Sequence, residues 1–227
     1  MGIAVAVLLP LSFYLIAKGL KKDRIIMPGY FISEKITSKM LDGKMQQDTI
    51  FHRIADLQLI NQMGEQISLN NTLQGKILVI NFIYTTCPSV CPKLTQNMKL
   101  LQKAFRKDRK KKMDMNNEIH LVSITVDPDR DSFQTLRKYA ERFEVNHDHW
   151  YFLTGNRDSI YHFARKELGL SVQPEEHGAK DFIHTQKIVL VDRNRYIRGY
   201  YNGLDSAAVG KCAYDISLLS MEKKKKK

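Results

Sequence analysis

Ile77-Leu78-Val79-Ile80-Asn81-Phe82-Ile83-Tyr84-Thr85-Thr86-Cys87-Pro88-Ser89-Val90-Cys91-Pro92 is the stretch that decides how this chain folds. Ile77 to Tyr84 is a nearly continuous apolar run, the pattern of a strand buried on both faces. Pro88 and Pro92 bracket the start of a helix, where proline is accepted. From about Lys93 a helical pattern follows, with Met98, Leu101 and Phe105 recurring at helical spacing. A buried strand thus runs straight into a helix.

The flanking sequence extends this unit. Upstream, Leu57 to Ile60 and Gln66 to Leu69 read as a hairpin around Asn61-Gln62-Met63-Gly64. Downstream, Ile119 to Val126 is a second buried strand, broken by Asp127-Pro128-Asp129-Arg130-Asp131. Asp131 or Ser132 caps a helix running to about Phe143. Trp150 to Leu153 is a short third strand, and Asn156 or Asp158 caps a helix reaching Leu168. Lys187 to Val191 and Tyr196 to Tyr201 pair around Asp192-Arg193-Asn194-Arg195, and Asp205 or Ser206 begins a last helix. Two βα crossovers followed by an antiparallel hairpin predict an α/β domain, a mixed sheet with helices on both faces, over residues 49–221.

The ends differ in character. Ile3 to Ala17 is apolar apart from Ser12 and Tyr14, and Lys18 extends the segment by snorkelling. Residues 1–20 are expected to form an uncleaved membrane anchor, since the basic start and small-residue cleavage site of a signal peptide are missing. Residues 21–48 read as a tether, and 222–227 as a basic tail. The formal net charge of +12 is concentrated in Lys103 to Lys112 and Lys223 to Lys227. Neither run is interleaved with aromatic residues, which argues against a nucleic-acid surface. Solvated helix end and tail, or attraction to anionic lipid or an acidic partner, remain the two readings.

Three cysteines are too few for a disulfide scaffold. Cys212 reads as a small buried hydrophobe in the last helix. Cys87 and Cys91 instead stand at a helix N-terminus, beside free N–H groups and the positive end of the helix dipole, a setting that favours thiolate. Their spacing is one residue wider than the C-x-x-C of disulfide exchange. On a continuous helix it places both side chains on one face, with Cβ atoms about 5–6 Å apart. Two thiolates leave a metal under-coordinated, so a third ligand is required. His184, just before a strand whose start gathers at the same sheet edge, is the candidate. Two thiolates and an imidazole suit copper in either oxidation state, or zinc. His177 and the His147/His149 pair rank below it, followed by His52, His120 and His162. Asp127, at the end of the second strand, either hydrogen-bonds the ligands or serves only the turn.

Three runs carry a resemblance to a known family: GKILVINFIYTTCPSVCP at 75–92, SITVDPDRDS at 123–132 and DFIHTQKIVLVDRNRYIRGYYNG at 181–203. Together they resemble the Sco/SenC copper chaperones, collinearly from about Phe51 to Leu219. The resemblance implies a thioredoxin-like fold with an added β-hairpin. It implies copper held by Cys87, Cys91 and His184, and a membrane-tethered domain facing the periplasm or its equivalent. The implied partners are the copper-bearing subunit of cytochrome c oxidase and other copper carriers or thiol reductants. The implied role is to help build the oxidase's dinuclear copper site, by delivering copper, by reducing the target's cysteines, or both. Lys18, Lys21, Lys22 and Arg24 all follow the apolar segment, a charge pattern that by itself orients the domain to the cytoplasmic side. The rival reading is a tethered thiol–disulfide oxidoreductase. A peroxiredoxin-like peroxidase is disfavoured because it needs no partner cysteine four residues on. A basic adaptor domain is disfavoured because it needs no cysteine site.

Overall fold

The computed structural model describes residues 26–41, 44–105, 118–170 and 185–222. The elements in chain order are β1 (Ser33–Leu41), β2 (Lys44–Phe51), β3 (Gln58–Asn61), β4 (Gln66–Ser68), β5 (Ile77–Ile83), α1 (Val90–Ala104), β6 (Ile119–Thr125), α2 (Phe133–Arg142), β7 (Trp150–Thr154), α3 (Arg157–His162), β8 (Lys187–Val191), β9 (Ile197–Asn202) and α4 (Ser206–Met221). Seven strands form one mixed sheet in the order β4-β3-β7-β6-β5-β8-β9. The central strands β5, β6 and β7 are parallel, and β8 runs antiparallel beside β5. All seven residues of β5 and all seven of β6 are buried, the polar Asn81, His120, Ser123 and Thr125 among them.

Each face of the sheet is covered by helices, which gives two cores. Ile77, Val79, Ile83, Ile119 and Leu121 pack under α1, α2 and α4, against Leu94, Met98, Leu136, Val209 and Ile216. Leu78, Ile80, Phe82, Val122 and Ile124 pack on the other face against Ile160, Phe163 and Ala164. This alternation along each strand is the period-two consequence of strand geometry. Ser132 caps α2 by accepting from the Thr135 N–H, and Asn156 caps α3 by accepting from Ser159. The helix expected to reach Leu168 passes instead into a π-helical turn over Phe163–Glu167.

The stretch 21–48, expected as a tether, carries strand structure in its described part. Its described part includes β1 and most of β2, which pair from Ser33 opposite Phe51 to Leu41 opposite Lys44. Ile36, Met40 and Met45 on this ladder are exposed. Such a hairpin satisfies its own backbone without burying a face, so its sequence carries no apolar stripe to reveal it. Its base is fixed by the Phe31 N–H on the Ile197 carbonyl (3.0 Å) and the His52 N–H on the Ile32 carbonyl (2.8 Å). No helix among the described residues is long and apolar enough to cross a membrane. The expected anchor at 1–20, residues 106–112 of the basic run and the lysines 223–227 lie outside the described residues.

Candidate metal centre

Cys87 and Cys91 sit at the C-terminal edge of the parallel strands, where β5 gives way to α1. The helix begins at Val90, with Ser89 as its N-cap. The two cysteines therefore do not share one helix face: Cys87 precedes the helix and Cys91 lies in its first turn. The Ser89 side chain makes no capping bond, and Pro92 has no N–H to satisfy. Instead, the orphan N–H of Cys91 donates to the Cys87 sulfur at 3.2 Å. The sulfur takes the place of a capping oxygen.

This arrangement makes the two thiols unequal. Both are free and nearly buried. For Cys87, burial works against ionisation. It is outweighed by hydrogen bonds from the backbones of Cys91 and Ser89 and the side chains of Cys91 and Tyr84, so its pKa falls below the usual thiol value. Cys91 lies deeper, and burial pushes it up to about 12, helped by the proximity of Cys87 and the charge of Asp131 and opposed by a hydrogen bond with the Tyr84 backbone. The pair is thus unequal, Cys87 being the more readily ionised sulfur and Cys91 the less, whereas the helix-dipole reading favoured thiolate at both. A bound cation of +1 or +2 would supply the charge needed to ionise the second.

A cavity of about 200 Å³ opens beside the sulfurs, lined by Tyr84, Cys87, Cys91, Leu94, Thr185 and Gln186 among others. Thr185 directly follows His184 in the sequence, while His184 and His177 themselves lie outside the described residues. The strand leading from Gln186 is pinned against α1. The Gly203 N–H donates to the Gln186 carbonyl (2.7 Å), and the Asn97 side chain donates to the Gly203 carbonyl (2.6 Å). Gly203 is required here: a Cβ at that position would stand 2.1 Å from Leu94 Cδ1 and 3.0 Å from the Gln186 oxygen.

The remaining candidates fall elsewhere. His52 bridges Glu34 (2.7 Å) and Glu167 (3.0 Å). His147 meets Gln62, His149 borders a separate cavity between α1 and β6, and His162 ends α3. His120 is buried in β6 with its ring 4.1 Å from that of Tyr151. Cys212 is fully buried, and burial raises its pKa, in keeping with a packing role. Among the described residues no group of three His, Cys, Asp or Glu is placed to hold a metal.

Asp127 is buried where β6 ends, and its Oδ2 has no hydrogen-bond partner among the described residues. The residue that braces the cysteine turn is Asp131, 1% exposed. It accepts from the Thr85 N–H (3.1 Å), from the Thr85 hydroxyl, and from the Thr125 hydroxyl (2.5 Å). One carboxyl group thereby ties the ends of both central strands together two residues before Cys87. The sequence offered Asp131 only as a helix cap. The threonines that end both strands, Thr85 and Thr125, were the signal for its larger role.

Residues 45–213 match the family model described as SCO1/SenC. The chain belongs to the SCO1/SenC family. Three solved structures from that family resemble it over most of both chains. A SCO1/SenC family lipoprotein from Bacillus anthracis is 28% identical, with a TM-score of 0.64 over 74% of this chain and 95% of the other. BsSco, described with a disulfide switch and as a member of the Sco family of cytochrome c oxidase assembly proteins, is 28% identical, with a TM-score of 0.63 over 76% and 95%. ScoI of Bradyrhizobium japonicum, solved with copper bound, is 26% identical, with a TM-score of 0.56 over 72% and 96%. The SCO1/SenC assignment agrees with the thioredoxin-like arrangement of the sheet and with a cysteine pair at the head of its first helix.

Proposed function

We propose that the chain is a membrane-tethered copper chaperone that binds one copper ion through Cys87, Cys91 and His184 and serves cytochrome c oxidase assembly. The observation that carries this reading is the pair of buried cysteines, its turn braced by Asp131 through Thr85 and by the Cys91 N–H on the Cys87 sulfur, beside a cavity lined by Thr185, the residue after His184. Soft thiolates select copper or zinc over hard cations, and an imidazole completes a three-donor set. Copper in B. japonicum ScoI and oxidase assembly in the description of BsSco support the cargo and the pathway. The description of the B. anthracis relative as a lipoprotein supports a membrane-attached domain. Transfer proceeds by stepwise exchange of these ligands for thiolates of the oxidase's copper-bearing subunit. Conversion of the two thiolates to a disulfide passes two electrons to an acceptor such as a target disulfide and releases the metal.

A second reading, thiol–disulfide oxidoreductase without obligatory copper, is favoured by the inequality of the two thiols. A depressed Cys87 suits the attacking sulfur, and a buried neutral Cys91 suits the resolving one. Anaerobic copper titration separates the two. The reduced full chain is expected to take up one copper ion per chain, and the disulfide form none. His184→Ala is expected to lose tight binding. Undiminished uptake by His184→Ala would remove the three-ligand site and leave the oxidoreductase.

A further inference from the structure

The last helix carries an outer face without charge. α4 packs onto the sheet through Val209, Cys212, Ile216 and Leu219. On its other side Ala207, Gly210, Tyr214, Ser217 and Met221 are exposed or half-buried. Their spacing of three, four, three and four residues is that of one continuous stripe, the a and d positions of a helix seam. A solvated helix face is ordinarily charged or polar. Here Tyr214 is 59% exposed and Met221 62%, between alanine, glycine and serine. The only charged residues of α4, Lys211 and Asp215, lie off the stripe and are joined at 2.5 Å. The serine hydroxyls are satisfied within the helix: Ser217 donates to the Ala213 carbonyl (3.0 Å) and Ser220 to the Ser217 carbonyl (2.7 Å).

Gly210 is the second observation. It stands inside the helix, where only proline is a weaker helix former. A Cβ built there would meet nothing within 4 Å, so packing within the chain does not call for glycine. A notch at Gly210 with a bulky ring one turn away at Tyr214 does have a use between two helices. Two copies of α4 laid antiparallel, about a two-fold axis level with Cys212, bring Gly210 opposite the partner's Tyr214 and Ala207 opposite the partner's Ser217. Large then meets notch twice, once on each side of the axis. The small Ala207 and Ser217 layers beyond let the two backbones come close enough for each ring to reach its notch. Such a face complements itself, which is what an isologous interface between identical chains requires.

We propose that the outer face of α4 is a self-association surface, on which a second copy of this chain docks as an antiparallel helix pair with Tyr214 of each copy filling the notch at Gly210 of the other. One helix pair offers less than the roughly 800 Å² per partner of a standard stable interface, so the dimer is weak and reversible, with a Kd on the order of 10–100 µM. No α4 residue lines the cavity beside Cys87 and Cys91, and pairing takes nothing from the copper centre. Copper uptake by the variants below is therefore expected to stay at the level of the unsubstituted chain, which separates failure of this proposal from failure of the chaperone reading.

The test is sedimentation velocity of the full chain in nonionic detergent, over roughly 1–200 µM, beside Tyr214→Asp and Gly210→Ala. The unsubstituted chain is expected to pass from monomer to dimer across this range. Tyr214→Asp places a charge on the seam and is expected to remain monomeric throughout. Gly210→Ala gives effects of opposite sign. The methyl group meets nothing in its own chain, so the dilute monomer is expected to melt at a higher temperature. The same methyl fills the notch and is expected to weaken association at least about tenfold. A chain that stays monomeric over the whole range overturns the proposal. Dimerisation that neither substitution weakens places the contact on another surface and overturns it equally. A monomeric chain that binds phosphatidylcholine vesicles, and loses that binding in Tyr214→Asp, makes lipid the occupant of this face in place of a second copy.

Discussion

Asp131→Ala is expected to lower folding stability by about 3–5 kcal/mol and to loosen the turn that presents Cys87. The carboxyl group is the shared acceptor for the Thr85 N–H, the Thr85 hydroxyl and the Thr125 hydroxyl, all at a buried or half-buried strand end. Removing it strands three donors, and each buried donor left without a partner costs on the order of 1–3 kcal/mol, partly relieved where water reaches Thr85. Asp131→Asn keeps one acceptor oxygen and is expected to lose about half as much. Urea denaturation of the three proteins measures the order. Alkylation of Cys87 is expected to quicken in the alanine variant as its turn opens. A loss under about 1 kcal/mol for Asp131→Ala would show that the brace is incidental.

The second large effect concerns acid. His120 is 1% exposed, and neither ring nitrogen has a hydrogen-bond partner among the described residues. Burial, with smaller contributions from Lys76 and His149, depresses its pKa to about 3 from an ordinary value of 6.5. The folded state therefore keeps the ring neutral while the unfolded chain binds a proton below about pH 6.5. The stability due to the neutral ring is complete above that value and is lost as the pH falls toward 3. Between pH 7 and pH 4 the loss is on the order of 3 kcal/mol. His120→Leu preserves an apolar contact with Tyr151, removes two unpaired nitrogens and is expected to flatten this part of the curve. Parallel stability curves for the two proteins over that range would exclude His120 as the cause.

What the sequence made legible follows from where burial is complete. The run Ile77 to Ile83 is apolar apart from Asn81, and Ile119 to Thr125 is apolar at four of seven positions, because both faces of the central strands are covered, and their length, β-branched content and flanking turn residues fit buried strands. Cys87 and Cys91 were placed correctly at the junction because proline and the strand's end mark it. Their inequality was not legible, since it depends on how deep each sulfur lies and on an N–H that no other group caps. Asp131 was hidden for a related reason: its partners are 46 and six residues away, brought together by the pairing of β5 with β6. The hairpin of β1 and β2 was missed because its exposed strands need no alternating pattern. The π-helical turn at Phe163–Glu167 replaces the last turn of an apparently regular helix, a deviation that apolar spacing does not encode.

Copper K-edge X-ray absorption on the anaerobically loaded full chain bears most directly on the proposed centre. Two sulfur neighbours and one imidazole nitrogen are expected around each copper. The imidazole scattering is expected to vanish in His184→Ala, and one sulfur in Cys87→Ala or Cys91→Ala. A spectrum from the unsubstituted chain that lacks imidazole, or one that His184→Ala leaves unchanged, would contradict a copper centre built from these three residues.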